Sequence, residues 1–350
     1  MAGVAWPPGP VAVNPPDFAS HWARELGSSL ETLQRLRGGI NNQVFRCGSH
    51  DRYWVIKGYP THQLGQRDRM QAEVDFLRYA NLAAPGRVPR LIHVDADRRC
   101  VVLEHIAGTA YPEGVSPPAE DVRAAVEFFR ELNADLGLAR YMIHLDAAEG
   151  FLSLRQHMAN VRDRLASMGT EHLPEEFRPE VAALLEDLQR QADRVGTDLE
   201  AKISSGLLED ELDPEQRCVS PSDFGFHNAI RTDQGVTFID FEFAGWDDPA
   251  KAICDFMLQP RVPIERTHPI LLSIHGSFKG DILQARAEIL APVLEVKWIC
   301  IFLSILRKER LTQILNQQSG ITRFELIQDR LMKARLWLTK TNRIKVSFAP

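Results

Sequence analysis

Ser220-Pro221-Ser222-Asp223-Phe224-Gly225-Phe226-His227-Asn228, followed by Phe238-Ile239-Asp240-Phe241-Glu242, is the stretch on which the reading of this chain turns. An aspartate is followed five residues on by an asparagine, and twelve residues later a second aspartate ends the short apolar run Val236-Thr237-Phe238-Ile239. These residue types in this order suit phosphoryl transfer, where a protein contributes positioning and charge neutralisation more than covalent chemistry. One carboxylate can take the proton of an attacking hydroxyl. An amide and a second carboxylate, both hard oxygen donors, can hold Mg²⁺ against nucleotide phosphates. Asp223 is therefore the candidate base, and Asn228 and Asp240 are the candidate metal ligands. The alternative is a plain polar hairpin; residue type, spacing and strand context together favour the phosphoryl-transfer site.

Other parts of such a site lie on either side. Lys57 closes the strand-like run Val55-Ile56-Lys57, where its ammonium can reach nucleotide phosphates. Glu73 lies beside the apolar face marked by Met70, Val74 and Leu77 and can pair with that lysine, although Asp68 and Asp75 compete for the role. Gly38-Gly39-Ile40-Asn41-Asn42 separates two strand-like pieces. Glycines there let backbone amides approach phosphate oxygens, and they also suit a simple hairpin turn. Downstream, Glu242, Trp246 and Asp247 are candidates for contact with metal or substrate, while Asp248-Pro249 reads as a helix start. His105 and His144 have no visible carboxylate partner. Trp298, Phe302 and Trp337 could cage a quaternary ammonium, but their helical spacing in apolar runs reads as core.

At 350 residues the chain exceeds what one hydrophobic core usually serves, so two parts are expected. The net charge of −6, without a long basic run, offers nothing to nucleic acid or an anionic membrane. Five scattered cysteines read as reduced thiols of a cytoplasmic protein. The N-terminal residues lack the basic start and apolar stretch of a secretory signal. Ile289 to Leu306 is strongly apolar but holds Pro292, Glu295 and Lys297, and is expected to be a helix buried in protein rather than a membrane span.

Residues 1–16 are proline-rich and read as irregular, with a short helix from Asp17 to Leu26. Strands are expected at 32–37, 43–47, 52–59, 90–94 and 100–105, with one helix over 62–80. After Gly108 the pattern becomes helical at about 121–138, 151–167, 176–203, 249–258, 281–315 and 322–342, interrupted by a loop at 218–231 and a strand at 236–240. The expected organisation is an N-terminal extension (1–30), a sheet-rich nucleotide-binding lobe (31–106) and a helical lobe (107–350). The last carries the catalytic loop (218–231) and the metal-binding strand (236–242).

Glycine turn, strand lysine, helix glutamate, hinge, Asp223-to-Asn228 loop and Asp240 strand resemble, in this order, the aminoglycoside phosphotransferase and choline kinase group, relatives of the protein kinases. The likeness covers about residues 32–258 and is densest at Ile239-Asp240-Phe241-Glu242-Phe243-Ala244-Gly245. It implies an α+β, two-lobed, protein-kinase-like fold, and an ATP- and Mg²⁺-dependent transfer of the γ-phosphoryl group to a hydroxyl of a small molecule. Candidate acceptors are aminoglycoside-like or choline-like compounds, amino alcohols and sugars. By the same resemblance Glu104 and Ile106 would offer backbone groups to the nucleotide base. Two positions depart from the pattern: Pro221 stands where the family usually has histidine, and His227 where it often has glycine. A catalytically degenerate nucleotide-binding or scaffold protein is the alternative. Oligomeric state and the choice of ATP or GTP are not encoded in any recognisable motif.

Overall fold

The computed structural model describes residues 8–11, 15–36, 42–49, 52–62, 66–264, 280–317 and 321–341. Gly38, Gly39 and Asn41 lie outside the described residues. The chain divides into two compact units: Met1–Gly150, Cys218–Asp247 and Gln259–Glu265 form the first, and Phe151–Arg217, Asp248–Leu258 and Arg266–Pro350 the second.

The first unit is built on a six-stranded antiparallel sheet of order β1-β2-β3-β4-β6-β5. Its strands are β1 (Pro8–Val11), β2 (Gln34–Leu36), β3 (Gln43–Ser49), β4 (Arg52–Gly58), β5 (Leu91–Asp95) and β6 (Cys100–Glu104). The two-residue period of a strand divides the side chains between the faces. Phe45, Cys47 and Ile56 turn to one face and pack with Leu33 against Phe18, Ala19, Trp22 and Ala23 of α1 (Asp17–Glu25). Val44, Val55 and Lys57 turn to the other face and line a cavity. β1 was not expected. It pairs at the sheet edge with β2, where prolines without an amide hydrogen are tolerated.

Helix α2 (Arg69–Ala83) starts later than the apolar period suggests, because Asp68 caps it. The Asp68 carboxylate accepts from the amides of Met70 (3.1 Å) and Gln71 (3.2 Å) and from both terminal nitrogens of Arg99 at 2.9–3.0 Å. Asp75 accepts from the Gln71 amide group at 2.7 Å. Both competitors of Glu73 thus have other work.

After the short strand β7 (Thr109–Ala110), the expected helix over 121–138 is two: α3 (Ala119–Leu132) and α4 (Leu136–Met142). The break falls where Asn133 turns its amide to the carbonyls of Phe129 and Val219, and Asp135 caps the second helix. β8 (Cys218–Ser220) pairs with β11 (Gly245–Asp247), and β9 (Ala229–Thr232) lies between β7 and β10 (Gly235–Phe238). The strand expected to run to Asp240 stops at Phe238, because its partner ends at Ala229. Beneath this hairpin Phe128 stacks on Phe238 at 4.8 Å, and Phe224 approaches the same ring at 5.1 Å. All three rings are buried.

The second unit is helical: α5 (Leu154–Ala166), α6 (Arg178–Ser204), α7 (Pro249–Leu258), α8 (Gly280–Phe302), α9 (Lys308–Gln317) and α10 (Arg323–Thr341). The segment expected as one helix over 281–315 is interrupted by a 3₁₀ turn at Leu303–Leu306. Leu283–Leu306 is long and apolar enough to cross a membrane, and 78% of that window is buried inside the protein. Two buried ion pairs tie α7 to α8: Arg286 donates to Asp248 (2.6 Å), and Lys297 to both oxygens of Asp255 (2.8 Å each). Arg286 also caps the carbonyls of Leu152, Glu209 and Asp210. Trp337 meets Phe302 edge-on at 5.4 Å and lies 6.5 Å from Trp298. All five cysteines are buried, and no disulfide joins them.

The aromatic platform gives a stability test. Phe128→Ala removes the ring stacked on Phe238 and should cost about 3–5 kcal/mol in urea denaturation; a cost below about 1 kcal/mol would mean that the platform does not support the hairpin.

Candidate active site

Lys57 is the centre of the site. Its ammonium donates to Glu73 Oε2 (2.5 Å) and to Asp240 Oδ1 (2.6 Å). Lys57 is 4% exposed and Glu73 1%, whereas about a third of the Asp240 side chain is open. Burial alone would lower the lysine pKa, but Asp240, Glu73 and Glu242 outweigh it and hold the ammonium above the ordinary lysine range. A second donor reaches the same glutamate oxygen: Tyr59 Oη at 2.7 Å.

The segment after β10 is fastened to the start of α2. Phe241 stacks on Phe76 at 4.5 Å. The Arg67 guanidinium donates to the carbonyls of Glu242 (3.2 Å), Ala244 and Asp146. Arg69 lies over the Phe243 ring and 3.8 Å from Glu242. Asp240 and the Glu73 helix are thus held together by backbone, aromatic and charged contacts. Nothing in the sequence marks Arg67, because its partners are carbonyls distant along the chain.

The Asp223 loop is braced from both ends. The Ser222 amide donates to Ser220 Oγ (2.9 Å) and the Asp223 amide to the Pro221 carbonyl (2.9 Å). His227 Nε2 lies 3.1 Å from Asp223 Oδ1, and Asn228 Nδ2 donates to the Asp223 carbonyl (3.0 Å) and reaches Oδ2 at 3.3 Å. Gln259 Nε2 touches His227 Nε2 at 3.1 Å. A Cβ at Gly225 would stand 2.8 Å from Gln259 and 2.9 Å from His227, so the close approach requires glycine. Burial would raise the Asp223 pKa, but the charge and hydrogen bond of His227, with Asn228 and Arg261, bring it below the ordinary value. The sequence showed His227 only as a departure from a pattern; its spacing of four residues from Asp223 was the available signal. The Ile239 amide donates to the Asn228 carbonyl (2.9 Å), which brings Asp223, Asn228 and the residue before Asp240 together at one end of the β9–β10 hairpin.

The remaining expected residues fall in two groups. Asn42, Glu104 and Ile106 line the cavity that also contains Lys57, Glu73 and Asp240. The Asn42 side chain donates to Glu242 (2.5 Å), whose pKa is raised by burial and by Asp240. The Glu104 carboxylate faces Arg90 (3.1 Å). Trp246 and Asp247 do not line this cavity. The Trp246 indole donates to the Ile143 carbonyl at 2.9 Å, and Asp247 is fully buried on β11.

Divalent-metal chemistry fits the donors present. A partly open carboxylate at Asp240 and an amide at Asn228 offer hard oxygens. In the cavity that Asp240 lines, the buried Asn42 Oδ1 has no hydrogen-bond partner among the described residues, the kind of atom a bound ligand satisfies.

The profile of the phosphotransferase enzyme family matches residues 32–257. No curated protein matches the chain by sequence. A choline/ethanolamine kinase family protein from Mesorhizobium loti superposes with a TM-score of 0.53 at 19% identity, covering 92% of this chain and 95% of that one. Spectinomycin phosphotransferase, solved with ADP and spectinomycin, gives a TM-score of 0.61 at 13% identity, covering 94% of this chain and 100% of that one. An ethanolamine kinase from Plasmodium vivax gives 0.53 at 10% identity, covering 89% and 85%. At such identities the structures show the fold, the α+β kinase-like architecture expected from the sequence. The family match spans most of the chain, and the chain belongs to the phosphotransferase enzyme family.

The Asp223 environment sets a pH signature. A depressed carboxylate contributes stability above its unfolded pKa near 3.8, and that stability is lost as pH falls through the folded value. Carbon-detected NMR should find Asp223 titrating below 3.8 in the native protein and at a higher pH in His227→Leu than in the native protein; equal midpoints would deny His227 its influence.

Proposed function

Starting from that family membership, we propose that the protein transfers the γ-phosphoryl group of ATP to a hydroxyl of a small molecule, with Mg²⁺ required. The observation that carries this reading is the Lys57 ammonium held between Glu73 and Asp240, with Asp223 and Asn228 on the adjoining hairpin. Lys57 binds and orients the nucleotide phosphates, and Glu73 keeps it aimed. Glu104 and Ile106 line the apolar part of the cavity where the base sits. Asn228 and Asp240 hold Mg²⁺, which neutralises charge on the phosphates when bound. Asp223 accepts the proton of the acceptor hydroxyl as the oxygen attacks the γ-phosphorus, and the bond from that phosphorus to the β–γ bridging oxygen breaks to release ADP. It is suited to that task because it is ionised and about two-fifths exposed.

In this reading residues 31–106 form the nucleotide-binding lobe, and residues 107–350 carry the catalytic loop (218–231), the metal-binding strand (236–242) and the acceptor pocket. Family members of this fold include one solved with ADP, which supports nucleotide use here. Five reduced thiols suit a cytoplasmic enzyme. The scaffold alternative rested on Pro221. That position loses its force because the loop is braced by Ser220, the Pro221 carbonyl and His227.

The test is a metabolite-library phosphorylation screen read by mass spectrometry, followed by Asp223→Asn on the acceptor found. Removing the base should lower turnover about 10²–10⁴-fold, while thermal stabilisation by ATP and Mg²⁺ persists. Full turnover in the variant would contradict the assignment of the base, and no stabilisation of the native protein would contradict nucleotide use.

A further inference from the structure

Glu73 Oε2 accepts two hydrogen bonds, one from Lys57 Nζ at 2.5 Å and one from Tyr59 Oη at 2.7 Å. Lys57 is the next-to-last residue of β4 and Tyr59 follows the strand's end at Gly58, and both side chains reach the same Glu73 oxygen. The Tyr59 amide donates to the Arg99 carbonyl at 2.9 Å, which fixes the backbone at that point. Tyr59 is 7% exposed, and its ring lies 5.4 Å from the Lys57 ammonium. Burial and the Glu73 charge push its phenol pKa far up, so the oxygen keeps its proton and stays a donor.

The lysine has a conflict to resolve. Here its ammonium is shared between Glu73 and Asp240. A nucleotide phosphate competes with Asp240 for it, and a phosphate drawing on the ammonium also weakens its bond to Glu73. A buried carboxylate whose only donor is drawn away is costly. We propose that Tyr59 is a positioning residue for the phosphoryl-transfer site, anchoring Glu73 independently of Lys57 so that the lysine can leave Asp240 for a nucleotide phosphate. Tyr59 touches neither nucleotide nor acceptor; it acts through Glu73. This inference rests on the nucleotide-binding reading given above.

Tyr59→Phe keeps the ring and removes one oxygen. Binding of a non-hydrolysable ATP analogue with Mg²⁺, measured by calorimetry, should weaken roughly tenfold, the effect of one hydrogen bond to a charged group. The nucleotide KM should rise with it, and the acceptor KM should stay unchanged. In a Glu73→Gln background the same substitution should cause little further loss, because the path runs through that carboxylate. Native affinity in Tyr59→Phe would overturn the proposal, and so would an equal loss in both backgrounds, which indicates a merely structural tyrosine. If the native protein itself binds no analogue, the nucleotide reading fails and Tyr59 loses its role with it.

Discussion

A lysine ammonium buried between two carboxylates is the constraint around which the first unit is organised. Such an arrangement is poor value as a source of stability. Desolvation cancels much of the attraction, and replacing buried ion pairs with apolar residues is often neutral or stabilising by about 1–4 kcal/mol. Breaking one partner is a different matter, since it strands a charge at a cost of about 3–5 kcal/mol. The chain nevertheless commits many contacts to holding Lys57, Glu73 and Asp240 in register. Asp68 and Arg99 fix the start of the glutamate helix. Phe76 on Phe241 and the Arg67 guanidinium on three carbonyls then hold the Asp240 segment against it. Contacts of this number around a group that adds little stability point to a positioning role.

The Asp223 loop shows the same logic in a different material. Ser222 and Asp240 both adopt left-handed backbone conformations, with φ of 65° and 68°. Non-glycine residues held there cost of order 1–3 kcal/mol each and persist only where surrounding structure dictates it. The surrounding structure is the aromatic platform of Phe128, Phe224 and Phe238 below and the β9–β10 pairing beside it. Apolar packing thus supports an unfavourable backbone from which Asp240 lines the cavity and the Ser222 hydroxyl donates to the Ala148 carbonyl at 3.2 Å.

Much of this was legible in the sequence, for identifiable reasons. Lys57 could be placed because strand periodicity is local. Glu73 could be chosen because it borders the apolar face of α2, and the rival acids Asp68 and Asp75 do take local cap and side-chain bonds. Asp223, Asn228 and Asp240 were legible as residue types at fixed spacing. What escaped notice depends on distant partners. Arg67 meets carbonyls as much as 177 positions away, and Asn42 finds Glu242 after 200. Element ends were misjudged where side chains intervene: Asp68 delays α2, Asn133 divides the helix after Ala119, and β10 stops where Ala229 ends its partner. Tyr59 lies just past the end of β4 and meets Glu73 fourteen positions on, a pairing that no strand or helix period marks. Gly38, Gly39 and Asn41 rest on the sequence alone.

The central claim is that Lys57 exchanges Asp240 for a nucleotide phosphate in the presence of Mg²⁺. Calorimetric titration of a non-hydrolysable ATP analogue into native protein and Lys57→Ala, with and without Mg²⁺, tests it most directly. The expected result is analogue binding that tightens with Mg²⁺ in the native protein and is largely lost in the variant. Equal binding by the two proteins, or binding indifferent to Mg²⁺, would contradict it.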